Sequence, residues 1–223
     1  MAVSTSFPED LKAYLSSRWL TGPILLLIPL LLFAAWIPAL PTRWADACTQ
    51  TLLVANLVAM FRLWDDLSDL AVDRTTHPNR VLCRSSNERS FRWTCRVLGM
   101  TALSLLLLTN PMNAIGFTIL TIIFASYYRL PWRSSWPRLS YHLLIIKYPC
   151  FVALISISAD QPISTLRLML IIVTYLSLCI YEVVHDPQLR ADFWCRLIAA
   201  IEFVSAAIAV TCITVTLLTT TLT

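Results

Sequence analysis

The chain has 223 residues, of which 57% are hydrophobic and only 13% charged, with three glycines and a formal charge of +4. That composition excludes an ordinary soluble globule and points to an integral membrane protein built as one domain, 1–223. Nothing in it calls for a nucleic-acid partner. Seven cysteines are scattered singly without a CxxC pair, so neither a zinc motif nor a disulfide framework is indicated.

Taken in chain order, seven stretches approach the ~20 apolar residues that a membrane-spanning helix needs. They are 19–40, 45–64, 91–108, 112–128, 139–158, 166–181 and 193–218. The expected fold is therefore an all-α integral membrane bundle of about seven transmembrane helices. The first stretch follows Glu9, Asp10 and Lys12 and is too long for the apolar region of a signal peptide, so it is expected to be retained. With seven crossings, Lys12, Arg18, Arg74, Arg80, Arg84, Arg89, Arg92, Arg129, Arg133, Arg138, Arg190 and Arg196 fall on one side of the bilayer. Arg43 and Arg167 fall on the other. The positive-inside rule then puts the N-terminus and the acidic clusters on the cytoplasmic face.

The second stretch runs into FRLWDDLSDLAVDRTTHPNR, where Asp65, Asp66, Asp69 and Asp73 occur close together. On a continuous helix they lie at roughly 0, 100, 40 and 80°, within one arc of about 100°. Like charges on one face repel unless cations neutralise them. An oxygen-only donor set suits a hard ion, Mg²⁺ above all when phosphate completes its shell. The bland alternative is a solvated acidic helix end. Arg74 and Arg80 stand beside these carboxylates with forked guanidinium groups that match phosphate oxygens. The sixth stretch ends in IYEVVHDPQLR, where Glu182 and Asp186 share a helix face and Pro187 stops the helix. Lys147 and Glu202 lie inside apolar stretches, where ionisable groups are costly and are functional or paired. They could pair with each other, Lys147 could snorkel to the interface, or Lys147 could meet a diphosphate. His77 and His142 have no distinctive spacing and read as structural residues in loops.

DDLSDLAVD, Asp65 to Asp73, resembles the NDxxDxxxD signature of the UbiA superfamily of intramembrane prenyltransferases. Asp65 stands at the Asn position and Asp66, Asp69 and Asp73 at the three Asp positions. HPNR, ending in Arg80, is similar to the basic segment that follows. Glu182 and Asp186 fall where the family carries a second motif, DxxxD. The resemblance implies a helical bundle around a cavity, with a prenyl diphosphate held through Mg²⁺ by both motifs. In those terms Asp65, Asp69, Asp73, Glu182 and Asp186 are metal ligands, Asp66 joins them as a catalytic carboxylate, and Arg74, Arg80 and Lys147 bind the diphosphate. Aromatic faces can stabilise a carbocation, and Trp64, Tyr127, Tyr128, Tyr148, Tyr175 and Tyr181 are candidates. Glu182 departs from the family's Asp, Arg190 replaces an acid found in many members, and seven stretches stand against a usual nine. The implied reaction is cyclisation of a prenyl diphosphate, of farnesyl length, since the superfamily includes membrane terpene cyclases. The alternatives are prenyl transfer to an aromatic or lipid acceptor and a non-catalytic membrane protein that keeps the fold. The lipid bilayer is the expected surrounding in all three cases, and the oligomeric state is left open.

Overall fold

The computed structural model describes residues 6–19, 23–130, 137–156 and 164–221. Every regular element among them is a helix. In order these are α1 (Phe7–Arg18), α2 (Pro23–Trp36), α3 (Trp44–Ser68), α4 (Leu70–Thr76), α5 (Val81–Arg84), α6 (Glu88–Thr109), α7 (Pro111–Arg129), α8 (Pro137–Ile145), α9 (Lys147–Ser156), α10 (Thr165–His185), α11 (Pro187–Ala191) and α12 (Phe193–Thr221). Six segments are long and apolar enough to cross a membrane: Trp44–Ser68, Glu88–Thr109, Pro111–Arg129, Leu139–Ser156, Thr165–His185 and Phe193–Thr219. A shorter apolar helix, Ile24–Trp36, accompanies them. The chain is thus an all-α helical bundle of the multi-pass membrane type. Ile119, Ile122 and Ile123 on α7 and Phe203, Val204 and Ile208 on α12 are exposed, as lipid-facing residues are.

The first expected span, 19–40, is realised as a helix of 14 residues. Pro38 and Pro41 explain the early end, because a proline disfavours helical backbone at the residue before it. Residues 20–22 of that stretch, Arg133 in the loop before α8, and residues 157–158 of the fifth expected span lie outside the described residues. Tyr14 and Arg18 of α1 bond to Asp66, near the C-terminal end of α3, whereas Arg43 precedes its first residue. Asp66 lies about 33 Å along the axis from Trp44 at the ordinary rise per residue.

By contact the described chain divides into two compact units. One is Met1–Leu30 with Arg43–Ala114, the other Leu31–Thr42 with Ile115–Thr223.

In the first unit α3 packs along α6. Gly99 lets the helices approach: a Cβ there would meet the Met60 methyl at 3.3 Å. Asn56 Nδ2 donates to the Leu98 carbonyl at 2.9 Å, which satisfies a buried amide across the pair. α1 lies on this pair through one helical face. Phe7 and Tyr14 meet the fully buried Phe91 edge to face, with centroids 5.3 and 5.6 Å apart. Asp10, buried between them in sequence, accepts hydrogen bonds from Ser85 Oγ and, at 3.0 Å, from Asn87 Nδ2.

In the second unit α10 packs on α12, and α8, α9 and α11 add to α10. Tyr141, Ile145, Cys179, Val183, Leu189 and Cys195 form a buried cluster. The fifth span is broken at Ile146 between α8 and α9. Pro149 explains this, since its ring has no N–H for the Ile145 carbonyl and crowds it.

Phe91 is the seat of α1. Phe91→Ala is expected to cost about 3–5 kcal/mol in stability. In detergent micelles it should expose residues 6–19 to protease well before the rest of the chain. Equal protection of α1 in the variant and the parent protein would show that α1 is held without it.

Candidate functional site: an arginine-capped acidic cavity

The sequence predicted one continuous helix through the four aspartates. The structure interrupts it at Asp69, which separates α3 from α4 with φ −90° and ψ −2°. Ser68 and Asp69 are weak helix-interior residues, because their short polar side chains compete for nearby backbone groups. The bend is slight. Asp69 N still bonds to Asp65 O at 3.0 Å and Asp73 N to Asp69 O at 2.9 Å. The carboxylates nevertheless diverge. Asp65 is buried within electrostatic reach of Cys95 on α6, while Asp66 and Asp73 face a cavity of about 310 Å³.

Three pieces of chain build that cavity. α1 supplies Tyr14, Ser17 and Arg18; α3 and α4 supply Asp66 and Asp73; and the turn into α5 supplies Asn79, Arg80, Val81, Leu82 and Arg84. Asp66 is 7% exposed and Asp73 likewise 7%. A buried carboxylate is stable only when paired and hydrogen-bonded. Asp66 Oδ2 accepts from the Tyr14 hydroxyl at 2.9 Å and Oδ1 from Arg18 Nη2 at 3.1 Å, with Arg62 Nε 3.9 Å away. Asp73 is bonded by Arg80. The lining holds three guanidinium groups, Arg18, Arg80 and Arg84, against two carboxylates. Its formal excess is positive, which favours an anion.

Tyr14 is held neutral here. Burial, then the adjacent charge of Asp66 and the bond to it, push its phenol well above the ordinary tyrosine range, with Arg62 and Arg18 opposing. Cys83, next to the cavity, is also pushed up, first by desolvation and then by Asp73.

Of the residues singled out from sequence, Asp66, Asp73 and Arg80 meet in this cavity. Asp65 and Asp69 belong to the same bend but are not among its lining residues. Arg74 points elsewhere, to Glu88 at 2.9 Å, which also receives Arg92. Glu182, Asp186 and Lys147 belong to the second unit. Asp186 caps α11, its Oδ1 accepting from Gln188 N at 2.7 Å and Leu189 N at 3.3 Å. Lys147 is 2% exposed, so it does not snorkel; its Nζ lies 5.8 Å from the Phe124 ring centroid and 5.3 Å from that of Tyr148. Glu202 has His142 beside it, Oε1 lying 3.6 Å from Nδ1, which answers the alternative of a pairing with Lys147. His142 itself sits inside α8 and not in a loop.

The residues not anticipated are Tyr14, Ser17, Arg18, Asn79 and Arg84. Phe7, Asp10, Tyr14 and Arg18 recur at helical spacing, a stripe that marks a docking face. That stripe was the available signal, and its polar members disguised it. Comparison with models of protein families, with characterised proteins and with solved structures finds no match for the chain.

The Tyr14–Asp66 bond has a defined alkaline limit. Because folding raises the phenol's pKa, its contribution is fully present below the unfolded tyrosine value near pH 10 and is lost as pH rises toward the folded one. The parent protein should therefore lose thermal stability more steeply than Tyr14→Phe between pH about 9 and about 11. At neutral pH the same variant should be about 1–3 kcal/mol less stable, since it removes a donor from a buried carboxylate. Parallel stability–pH curves for the two proteins would contradict this account.

Proposed function

We propose that the chain is a Mg²⁺-dependent membrane enzyme of UbiA type that ionises a prenyl diphosphate and cyclises it. The observation that carries this reading is the cavity in which Asp66 and Asp73 face Arg18, Arg80 and Arg84. Carboxylates beside forked guanidinium groups are the two kinds of group that a metal-bound diphosphate requires.

The donor set fits the ion. Asp66 and Asp73 offer oxygen only, and Asp65 and Asp69 stand on the same bend; oxygen-only donors suit Mg²⁺ over softer metals. In this reading Asp73 would hold it, with Asp65 and Asp69 on the same bend. When bound, Mg²⁺ supplies charge neutralisation at the leaving diphosphate. The chain's own groups do the rest. Arg18 and Arg80 hold Asp66 and Asp73, and an incoming diphosphate competes for those same guanidinium groups. Exchange of partners frees carboxylate oxygens as it binds the substrate. Arg84 adds a third cation against the charge that develops as the C–O bond breaks. Leu82 and Val81 begin an apolar wall, and a dry surrounding protects a carbocation from water. In a cyclase an internal double bond of the same prenyl chain captures the cation, and the new ring cation is discharged by losing a proton, to the hydrocarbon, or by taking up water and then losing a proton, to the alcohol.

The arrangement also bears on orientation. α1 meets the C-terminal end of α3, so Lys12 and Arg18 lie at the level of Arg74, Arg80 and Arg84. That common basic level supports the cavity opening on the cytoplasmic face.

The deciding assay uses membranes containing the protein, farnesyl diphosphate and Mg²⁺, with no acceptor. A cyclised hydrocarbon or alcohol, abolished by EDTA and restored by Mg²⁺, is expected. Asp73→Asn and Arg80→Ala should each lower kcat/KM by about 100-fold or more, as loss of a charge-stabilising group does. Glu182→Gln should lower it less. Turnover in chelator would overturn the metal requirement. Release of diphosphate only with an aromatic or lipid acceptor, together with a prenylated adduct, would replace cyclisation by transfer.

A further inference from the structure

The second unit contains a cluster that this reading does not use. His142 on α8, Cys179 on α10 and Glu202 on α12 place one ligand atom each within 4.8 Å of the others. Cys179 is fully buried and Glu202 is 7% exposed. The Cys179 sulfur lies 3.5 Å from His142 Nδ1, and Glu202 Oε1 lies 3.6 Å from the same nitrogen. Glu202 Oε2 is buried and has no hydrogen-bond partner among the described residues. An ionised carboxylate with an unsatisfied oxygen is costly in an apolar helix bundle. A cation bound at that carboxylate would remove the cost.

We propose that His142, Cys179 and Glu202 form a binding site for a borderline transition-metal ion, Zn²⁺ by the chemistry of its ligands. The donor set is one nitrogen, one sulfur and one oxygen, which suits zinc and not the hard ions of an oxygen-only site. The spacing agrees. Tetrahedral zinc, with bonds of about 2.3 Å to sulfur and about 2.0–2.1 Å to nitrogen and oxygen, separates S from N by about 3.5 Å and N from O by about 3.4 Å. The two measured separations, 3.5 and 3.6 Å, are already near these values. Charge also balances, because a thiolate and a carboxylate against a divalent ion leave the buried complex neutral. Binding requires both anions and so releases protons, which makes affinity rise with pH. Three protein ligands leave a fourth position open, the arrangement of catalytic rather than structural zinc. The Tyr175 hydroxyl, 2.9 Å from Nδ1, would lose that bond when a metal takes the nitrogen.

The site involves none of the prenyl-diphosphate residues and stands or falls separately. The test uses the purified full chain in detergent, stripped with chelator and titrated with Zn²⁺ and then Co²⁺. One equivalent of zinc is expected. The cobalt form should show thiolate-to-metal charge transfer and the intense visible bands of a tetrahedral site. Cys179→Ser should abolish the charge-transfer band, and Glu202→Gln should weaken binding by on the order of 100-fold, at or beyond the upper end of what losing an outer-shell partner costs. Asp69→Asn with Asp73→Asn should leave both readings unchanged. Should the cluster variants fail to fold, X-ray absorption at the zinc edge of the parent protein decides, with one sulfur at about 2.3 Å among nitrogen or oxygen neighbours expected. Failure to retain an equivalent of zinc, an oxygen-only six-coordinate spectrum, or binding unaffected by Cys179→Ser would each overturn the proposal.

Discussion

A carboxylate buried at Asp66 has to be neutralised, and the first unit is arranged around how that is done. Its partners come from 48 residues away, at Arg18, and 52 away, at Tyr14. Those two bonds fix α1 against the end of α3. Removing one partner of a buried pair leaves an uncompensated charge, which costs about 3–5 kcal/mol. The position of the N-terminal helix and one wall of the cavity follow from this buried charge. Apolar contacts through Phe91 add affinity to this docking but would not select its register alone.

The all-helical character and the position of six apolar segments were legible in the sequence because apolar length is a strong, local signal. Proline explains where the reading came apart. Pro38 and Pro41 shorten the first segment, and Pro149 divides the fifth, although both stretches keep their apolar composition. Hydropathy averages over such breaks and does not register them. The acidic bend was legible as a cluster but not as a geometry. Asp65 and Asp66 are one helical step of about 100° apart, which already turns Asp65 toward α6 and Asp66 toward α1; which neighbour each one meets is set by distant helices that the spacing does not record. Arg74 looked equivalent to Arg80 in sequence. Glu88 takes the former and Asp73 the latter, a choice made by the turn between α4 and α5.

Arg18 was read from sequence only as a topological charge, and His142 as a loop residue. Each gains its partner from a distant helix, Arg18 from Asp66 and His142 from Glu202. Burial in a membrane bundle makes such partners selective. A cation near a surface carboxylate contributes about 0–1 kcal/mol, whereas one facing a buried carboxylate decides whether the fold is viable. Sequence spacing carries no record of that difference when the partners are on separate helices.

The two units meet the same constraint with different chemistry. Asp66 and Asp73 are neutralised by guanidinium groups, which are permanently charged and present several donors. Such a pair can exchange a carboxylate for a phosphate without any change in protonation, so it suits a site that binds and releases a polyanion. Glu202 has instead an imidazole and a thiol beside it, groups that change charge easily and bind metals well. An imidazole neutralises a carboxylate only while protonated, and Glu202 Oε2 has no donor even then. A divalent ion neutralises both anions at once and satisfies the remaining oxygen's surroundings electrostatically. In the readings proposed, arginine would make the first site exchangeable toward oxyanions, and histidine and cysteine would make the second selective for a softer cation. That division of ligand types, hard oxygen donors in one unit and mixed N, S and O donors in the other, would let the chain handle two ions without either site competing for the other's.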